Sequence, residues 1–231
     1  MANIAIIPAR GGSKRIPKKN IRNFLGKPII SYSIQAAIES NLFDEIMVST
    51  DNTEIAEIAI KAGAKVPFMR SEKNADDFAG TSDVLTEVIN KYKEKNVEFE
   101  NGCCIYPAAP FVQVKHLVGG FQLLTVKNLD TVYSAIEYSY PIWRGLKRNE
   151  NGKVQMLWPE YLNSRSQDLE KVYHDAGQWY WFNMNGFVIQ KKLFSDNSSF
   201  IELPETEVQD IDTEKDWLIA EMKYKLLHGQ T

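Results

Sequence analysis

Short runs of aliphatic residues alternate along this chain with longer stretches in which apolar positions recur every three or four residues. "NIAIIPA" (3–9) reads as a nearly continuous apolar strand, and "PIISYSIQAAIESN" (28–41) as a helix. On that helix Ile30, Ile34, Ala37, Ile38 and Leu42 fall on one face. "EIMVST" (45–50) is the next strand, and Asp51, Asn52 and Thr53 offer a cap for a helix that ends at Gly63. "KVPFMR" (65–70) is extended. "SDVLTEVINKYKEK" (82–95) is helical, with Val84, Leu85, Val88, Ile89 and Tyr92 inward and its lysines outward. "GCCIYPAAP" (102–110) is an apolar strand stopped by prolines. "VKHLVGGFQLLTV" has helical spacing weakened by Gly119 and Gly120, and "DTVYSAIEY" (130–138) is a strand. Regular structure returns with "NGFVIQKKLF" and closes in a helix from about 214 to 228.

Apolar strands alternating with amphipathic helices predict a three-layer α/β domain with a mostly parallel sheet. Ligands of such sheets lie beyond the carboxyl ends of the strands. The loop after residue 9, "STD" at 49–51 and "YPAAP" at 106–110 all follow strands, so they are expected on one rim. Residues 141–180 break the rhythm, being rich in aromatics and in Arg and Lys with weak periodicity. Forty structureless residues are improbable in a compact domain. The segment is therefore read as a small insert of hairpin and short helix suited to a subunit interface, with an unstructured insertion as the alternative.

Composition narrows the classes. At 231 residues, 44% hydrophobic and 25% charged, the chain suits one domain with one buried core. The net charge of −3 argues against nucleic-acid binding by overall charge, and no apolar run reaches bilayer length. The expectation is a chain with no leader peptide, since Met1 runs directly into a strand. The two cysteines, Cys103 and Cys104, are adjacent and read as core residues rather than as a disulfide or metal pair, which suits a reducing cytoplasm.

Charge changes the picture locally. From Arg10 to Lys27 there are seven Lys or Arg (Arg10, Lys14, Arg15, Lys18, Lys19, Arg22 and Lys27) and no Asp or Glu. Such a loop repels itself unless an anion sits among the charges. It lacks the spacing of a P-loop or a dinucleotide fingerprint, and Pro17 prevents an immediate helix. Yet Gly11 and Gly12 allow backbone to approach phosphate closely, Arg10 offers a planar fork, and Lys14 and Lys19 offer point charges. A solvated basic loop is the plain alternative. Near the other end, Asp210 and Asp212 flank Ile211, so an extended backbone points both carboxylates to one face. They could hold a divalent cation with help from phosphate oxygens, or Asp212 could cap the following helix with Asp216 inside its first turn. Asp51 is open between the rim and a helix cap, His174 between substrate and structure. His116 and His228 read as surface or core filler, and Trp143, Trp158, Trp179 and Trp181 as packing and interface.

Together, "IPARGGSKRIPKKN", "STD", Arg70 with "GTSD" (80–83) and "DIDTEKDW" (210–217) resemble the CMP-sugar synthetases of acidic nine-carbon sugars. The likeness covers essentially the whole chain. Within the family it is greatest to the pseudaminic acid branch, on "CIYPAAPF" (104–111) and "DAGQWYW" (175–181). The resemblance implies a three-layer α/β/α, Rossmann-like nucleotide-diphospho-sugar transferase fold and a single nucleotidyltransferase domain spanning 1–231. The insert at 141–180 would pair two subunits or contact substrate. It implies transfer of CMP from CTP to the sugar with release of pyrophosphate, Mg²⁺ on Asp210 and Asp212, and a cytoplasmic homodimer. Arg10, Gly12, Ser13, Lys14, Lys19 and Asn20 match the triphosphate and nucleotide loop, and Arg70 and Thr81 match positions that contact the cytidine. Lys19, with Arg10, is expected to neutralise charge during transfer. Tyr106, His174, Asp175 and Gln178 are the expected sugar contacts. Where the N-acetylneuraminate enzymes carry a glutamine before proline, this chain has Tyr106, which favours pseudaminate over N-acetylneuraminate. Legionaminate and the eight-carbon keto-deoxyoctonate are the other acceptors considered, and a nucleic-acid module built on the basic loop is the alternative of a different class.

Overall fold

The computed structural model describes residues 2–76 and 79–229. Its elements in chain order are β1 (Asn3–Pro8), the short strands β2 (Asn23–Phe24) and β3 (Lys27–Pro28), α1 (Ile30–Ser40), β4 (Glu45–Ser49), α2 (Thr53–Lys61), α3 (Thr81–Lys93) and β5 (Asn101–Ile105). Then come α4 (Val114–Val126), β6 (Thr131–Glu137), β7 (Leu146–Arg148), β8 (Val154–Met156), β9 (Tyr173–Asn183), α5 (Met184–Gln190), β10 (Ser198–Glu202) and α6 (Glu214–Leu227). The main sheet has the order β10-β6-β9-β5-β1-β4. β4, β1 and β5 pair in parallel, as do β6 and β10, and β9 runs antiparallel between β5 and β6.

The pleat sorts each strand's residues into two cores. Ala5, Ile7, Cys103, Trp179 and Trp181 pack on one face with Ile34, Ala37, Ile55, Ala59, Leu117 and Leu124 from α1, α2 and α4. Ile4, Ile6, Cys104, Tyr180 and Phe182 pack on the other with Leu85 and Val88 of α3 and Phe187 of α5. Both cysteines are buried and unpaired, one on each face. Gly120, which lowers the helical propensity of α4, has a packing reason: a Cβ there would lie 2.6 Å from the Trp179 ring. α4 can rest on the sheet only where that side chain is missing.

The expected insert is shorter than its aromatic composition suggests. Residues 173–180 belong to β9 in the middle of the sheet, with Trp179 fully buried. The part that stands off the sheet is 141–172. It holds the β7–β8 hairpin and several single turns around a cluster in which Trp143 lies 5.5 Å from the Trp158 and Tyr161 rings. Trp143 Nε1 donates to the Glu170 carbonyl at 2.9 Å, tying the segment's two ends together.

A third cluster positions the site. Ile16 from the basic loop and Phe24 and Ile29 from around the β2–β3 hairpin pack with Phe111, Ile211, Trp217 and Ala220. Ile16 and Ile211 are each 1% exposed, so one small apolar core joins the cationic loop near one end of the chain to the acidic segment near the other.

Candidate active site

The cationic loop and the acidic pair face each other across one cleft of about 280 Å³ beyond the ends of β1 and β5. Arg10, Ser13, Lys14, Lys19 and Asn20 form one wall, and Asp210 and Asp212 the facing one. Lys19 bridges the two: its Nζ donates to the Ile211 carbonyl at 2.7 Å and lies 3.5 Å from Asp212 Oδ1. Asn20 is buried, and its Nδ2 donates to the Arg10 carbonyl at 2.9 Å, which holds the loop's curvature. Arg10 donates from Nη1 to the Asp76 carbonyl at 3.2 Å. The Gly11 amide donates to Asp51 Oδ1 at 2.8 Å, and Gly12 faces open space.

The seven cations of the loop do not act together. Lys18 pairs with Glu54 at 2.6 Å, Arg22 with Glu214 at 2.6 Å, and Lys27 sits over the Tyr32 ring at 4.1 Å. Those three are taken up by the fold, while Arg10, Lys14, Arg15 and Lys19 line the cleft. Arg15, unassigned from the sequence, pairs with Asp212 at 3.0 Å. Nothing in its spacing separated it from its neighbours.

The floor of the cleft is contributed by Arg70, Thr81 and Tyr106. Arg70 is buried; its Nε donates to Ser49 Oγ at 3.0 Å and its Nη2 to the Ser49 carbonyl. Burial lowers its pKa, opposed by the charges of Asp51 and Glu87. Thr81 is the first residue of α3, and its Oγ1 lies 3.2 Å from the Tyr106 hydroxyl. Burial raises the Tyr106 phenol above its ordinary value.

Both capping questions left open by the sequence resolve away from the site's carboxylates. Asn52 caps α2 by accepting from the Ile55 amide at 3.1 Å, leaving Asp51 to the basic loop. Thr213 caps α6 in a reciprocal box with Asp216, so Asp212 is not the cap and its side chain faces the cleft. Burial and the like charge of Asp212 raise the Asp210 carboxyl, with the charge of Asp175 adding to the effect and Lys19 opposing it.

A second cavity of about 350 Å³ adjoins the first, sharing Gly177 and Asp210. His174, Asp175, Glu137 and Lys223 line it. Here two expectations part. His174 is exposed on this second cavity, against the Tyr138 ring at 4.7 Å. Gln178 faces neither cavity: it is 2% exposed, and its Nε2 donates to the Glu207 carbonyl at 2.6 Å. Neighbouring residues of a strand point to opposite faces, and Gln178 stands two places before the buried Tyr180, so both point into the fold on the same side of β9. Asp175, expected with them as a sugar contact, does line this cavity, whereas Glu207 carried no sequence signal at all.

Comparison with known proteins agrees with this architecture. The family model for cytidylyltransferase matches residues 4–208. A pseudaminic acid cytidylyltransferase of Campylobacter jejuni subsp. jejuni is 42% identical over 99% of this chain and 98% of its own. A CMP-N,N'-diacetyllegionaminic acid synthase of Legionella pneumophila subsp. pneumophila is 34% identical over 98% of this chain and 97% of its own. A solved structure of CMP:2-keto-3-deoxy-manno-octonic acid synthetase complexed with CTP superposes with a TM-score of 0.72 over 99% of this chain and 100% of that one. Its sequence identity is 17%, so that likeness speaks for the fold.

Proposed function

The chain belongs to the cytidylyltransferase family, and from that membership we propose that it transfers CMP from CTP to the anomeric hydroxyl of pseudaminic acid, releasing pyrophosphate. The observation that carries the reading is the meeting of Lys19 with the Asp210–Asp212 segment across one cleft, 2.7 Å from the Ile211 carbonyl. The attacking hydroxyl oxygen forms a bond to the α-phosphorus in line with the departing pyrophosphate, so the protein's work is positioning and charge neutralisation. Arg10, Lys14 and Lys19 take the triphosphate, and Lys19 with Arg10 meets the charge that grows on the leaving group. Ser13, Asn20 and the open backbone at Gly12 shape the phosphate loop. Arg70 and Thr81, on the cleft floor, take the nucleoside. The acceptor occupies the adjoining cavity beside His174, with Tyr106 between the two substrates.

The acidic pair suits Mg²⁺: both carboxylates face the cleft, burial and then the charge of Asp212 raise Asp210, and magnesium commonly needs only one or two carboxylates besides phosphate oxygens. Bound to Asp210 and Asp212, the ion would supply Lewis-acid polarisation at the phosphate and at the acceptor hydroxyl. Exposed Leu146, Val154, Leu157 and Leu162 on the 141–172 segment favour a homodimer built on that insert. Two buried free cysteines favour a cytoplasmic setting. Among the described residues no helix is long and apolar enough to cross a membrane.

The test is pyrophosphate release with pseudaminic acid, N,N'-diacetyllegionaminic acid, N-acetylneuraminic acid and keto-deoxyoctonate, each offered with CTP, UTP, ATP and GTP. The expected outcome is turnover with CTP and pseudaminic acid, at least tenfold above the other acceptors. CTP turnover with another of these sugars in preference would overturn the acceptor assignment, and none with any would overturn the reaction.

A further inference from the structure

Between β10 and α6 the chain covers residues 203–213 without a strand, yet this segment carries Asp210 and Asp212. What fixes it is a set of side chains bound to its backbone and to one buried carboxylate. Lys223 of α6 donates to the carbonyls of Glu205 at 3.2 Å and Val208 at 2.9 Å. Gln178 of β9 donates to the Glu207 carbonyl at 2.6 Å, and its own carbonyl accepts from the Tyr106 amide at 2.8 Å. The side chain of Glu207 turns the other way and reaches the first turn of α4. There Oε1 accepts from Lys115 Nζ at 2.9 Å and Oε2 from His116 Nε2 at 2.6 Å. Glu207 is 7% exposed and lines neither cavity.

A carboxylate withdrawn from water is costly unless paired and hydrogen-bonded, and a fold needing only packing would use an apolar residue here. Burial by itself would raise this carboxyl, but the bonds from His116, Lys115 and Gln113 hold it below the ordinary range. The arrangement is directional. β9 and α6 grip the backbone and α4 the Glu207 carboxylate within five residues of Asp210, and a ligand pair for a small cation must be held to about half an ångström to serve.

We propose that Glu207 is a positioning residue for the acidic pair, its clamp on Lys115 and His116 setting where Asp210 and Asp212 stand over the cleft. The inference rests on the reading that those two carboxylates hold the divalent cation. Glu207 touches no substrate and acts only through the segment it anchors.

The test compares Glu207→Ala and Glu207→Gln with Asp210→Asn and with Leu124→Ala, a core truncation on the far part of α4 that destabilises without touching this segment. Mn²⁺ occupancy of each CTP-saturated protein, without acceptor sugar, is read from the loss of the free-ion EPR signal. Melting temperature and steady-state kinetics are measured alongside. In Glu207→Ala, half-occupancy is expected to need at least tenfold more Mn²⁺, and kcat to fall about 10–100-fold, as for other outer partners of metal ligands. KM for CTP should change less than threefold. Glu207→Gln, which keeps the length and one acceptor, should fall between Glu207→Ala and the parent protein, and Leu124→Ala should lower the melting temperature alone. Parental Mn²⁺ occupancy and kcat in both Glu207 variants, with both lost in Asp210→Asn, would overturn the positioning role while leaving the acidic pair intact. Unchanged Mn²⁺ binding in Asp210→Asn would remove the cation reading, and this inference with it.

Discussion

The two walls of the cleft are built differently. The cationic wall, residues 9–18, has no regular structure, and its bonds among the described residues include Asn20 on the Arg10 carbonyl, Arg10 on the Asp76 carbonyl, the Gly11 amide on Asp51, the Ser13 amide on Gly11 and the Lys18–Glu54 pair. Ile16 is its apolar anchor, and the Arg15 side chain remains 67% exposed. The acidic wall is pinned by its carbonyls from β9 and α6 and by the Glu207 carboxylate from α4. The contrast matches what each wall is proposed to hold. A small divalent ion demands short contacts in nearly fixed geometry, whereas a triphosphate is long, torsionally free and served by charges that can follow it. The Arg15–Asp212 pair between the walls is a surface contact, worth about 1 kcal/mol or less, and yields easily to a ligand.

Removing Lys19, the more buried of the two side chains that join the walls, should have the largest effect. Lys19→Ala loses both the Ile211 carbonyl contact and the charge beside Asp212. We expect kcat to fall by about 10²–10³, the loss typical of one preorganised donor at a developing negative charge. Arg15→Ala, at an exposed position, should lose less than about tenfold. Steady-state kinetics of the two variants measure the difference, and Lys19→Ala turning over within threefold of the parent would break the assignment.

Asn20→Ala comes next and probes the cationic wall alone. It removes the hydrogen bond that curves the loop and leaves the Arg10 carbonyl without that partner, at a cost of about 1–2 kcal/mol. A wall whose order is completed by its ligand should respond in affinity. KM for CTP is expected to rise about 5–10-fold with kcat nearly unchanged, the reverse of the pattern expected for Glu207→Ala. A fall in kcat with KM unchanged would mean that the basic wall is as preorganised as the acidic one.

How much of this was legible in the sequence follows the same division. The basic loop and the "DID" segment were readable because their chemistry is local: charge density, adjacent glycines and two-residue alternation. The helices were readable from apolar spacing, α4 included despite its glycines. β9 was obscured because its first residues, Tyr173, His174 and Asp175, are polar or amphipathic, and because burial on both faces removes the alternation that marks a strand. The same fact misplaced Gln178, whose orientation follows from the pleat once the strand is recognised. His116 looked like filler because its partner lies 91 residues away, a contact that only the fold creates. The anchors of the acidic wall were therefore invisible where the acids themselves were plain.

The smallest expected effects concern stability and should have opposite signs in structural and functional carboxylates. Glu87 anchors the loop after Arg70 by accepting from the Ser71 amide and hydroxyl, Asn74 and Lys91. Burial raises its carboxyl, but these bonds outweigh it and bring the pKa from 4.5 down to about 2. Its charged form therefore stabilises the fold above the unfolded value, and that contribution is lost as pH falls from about 4.5 toward 2. Glu87→Gln should cost about 2 kcal/mol at neutral pH, the gap to the parent closing through that acid window. Asp210 is shifted the other way by burial and Asp212, so its charge opposes folding once pH exceeds the ordinary carboxylate value. Asp210→Asn should raise the melting temperature of the ligand-free protein slightly at neutral pH, with the gain fading as pH drops below that value, even as activity is lost. Thermal melts of both variants from pH 3 to 8 measure the two slopes. Were Asp210→Asn to destabilise like Glu87→Gln, the acidic pair would be part of the scaffold rather than a site held against its own repulsion.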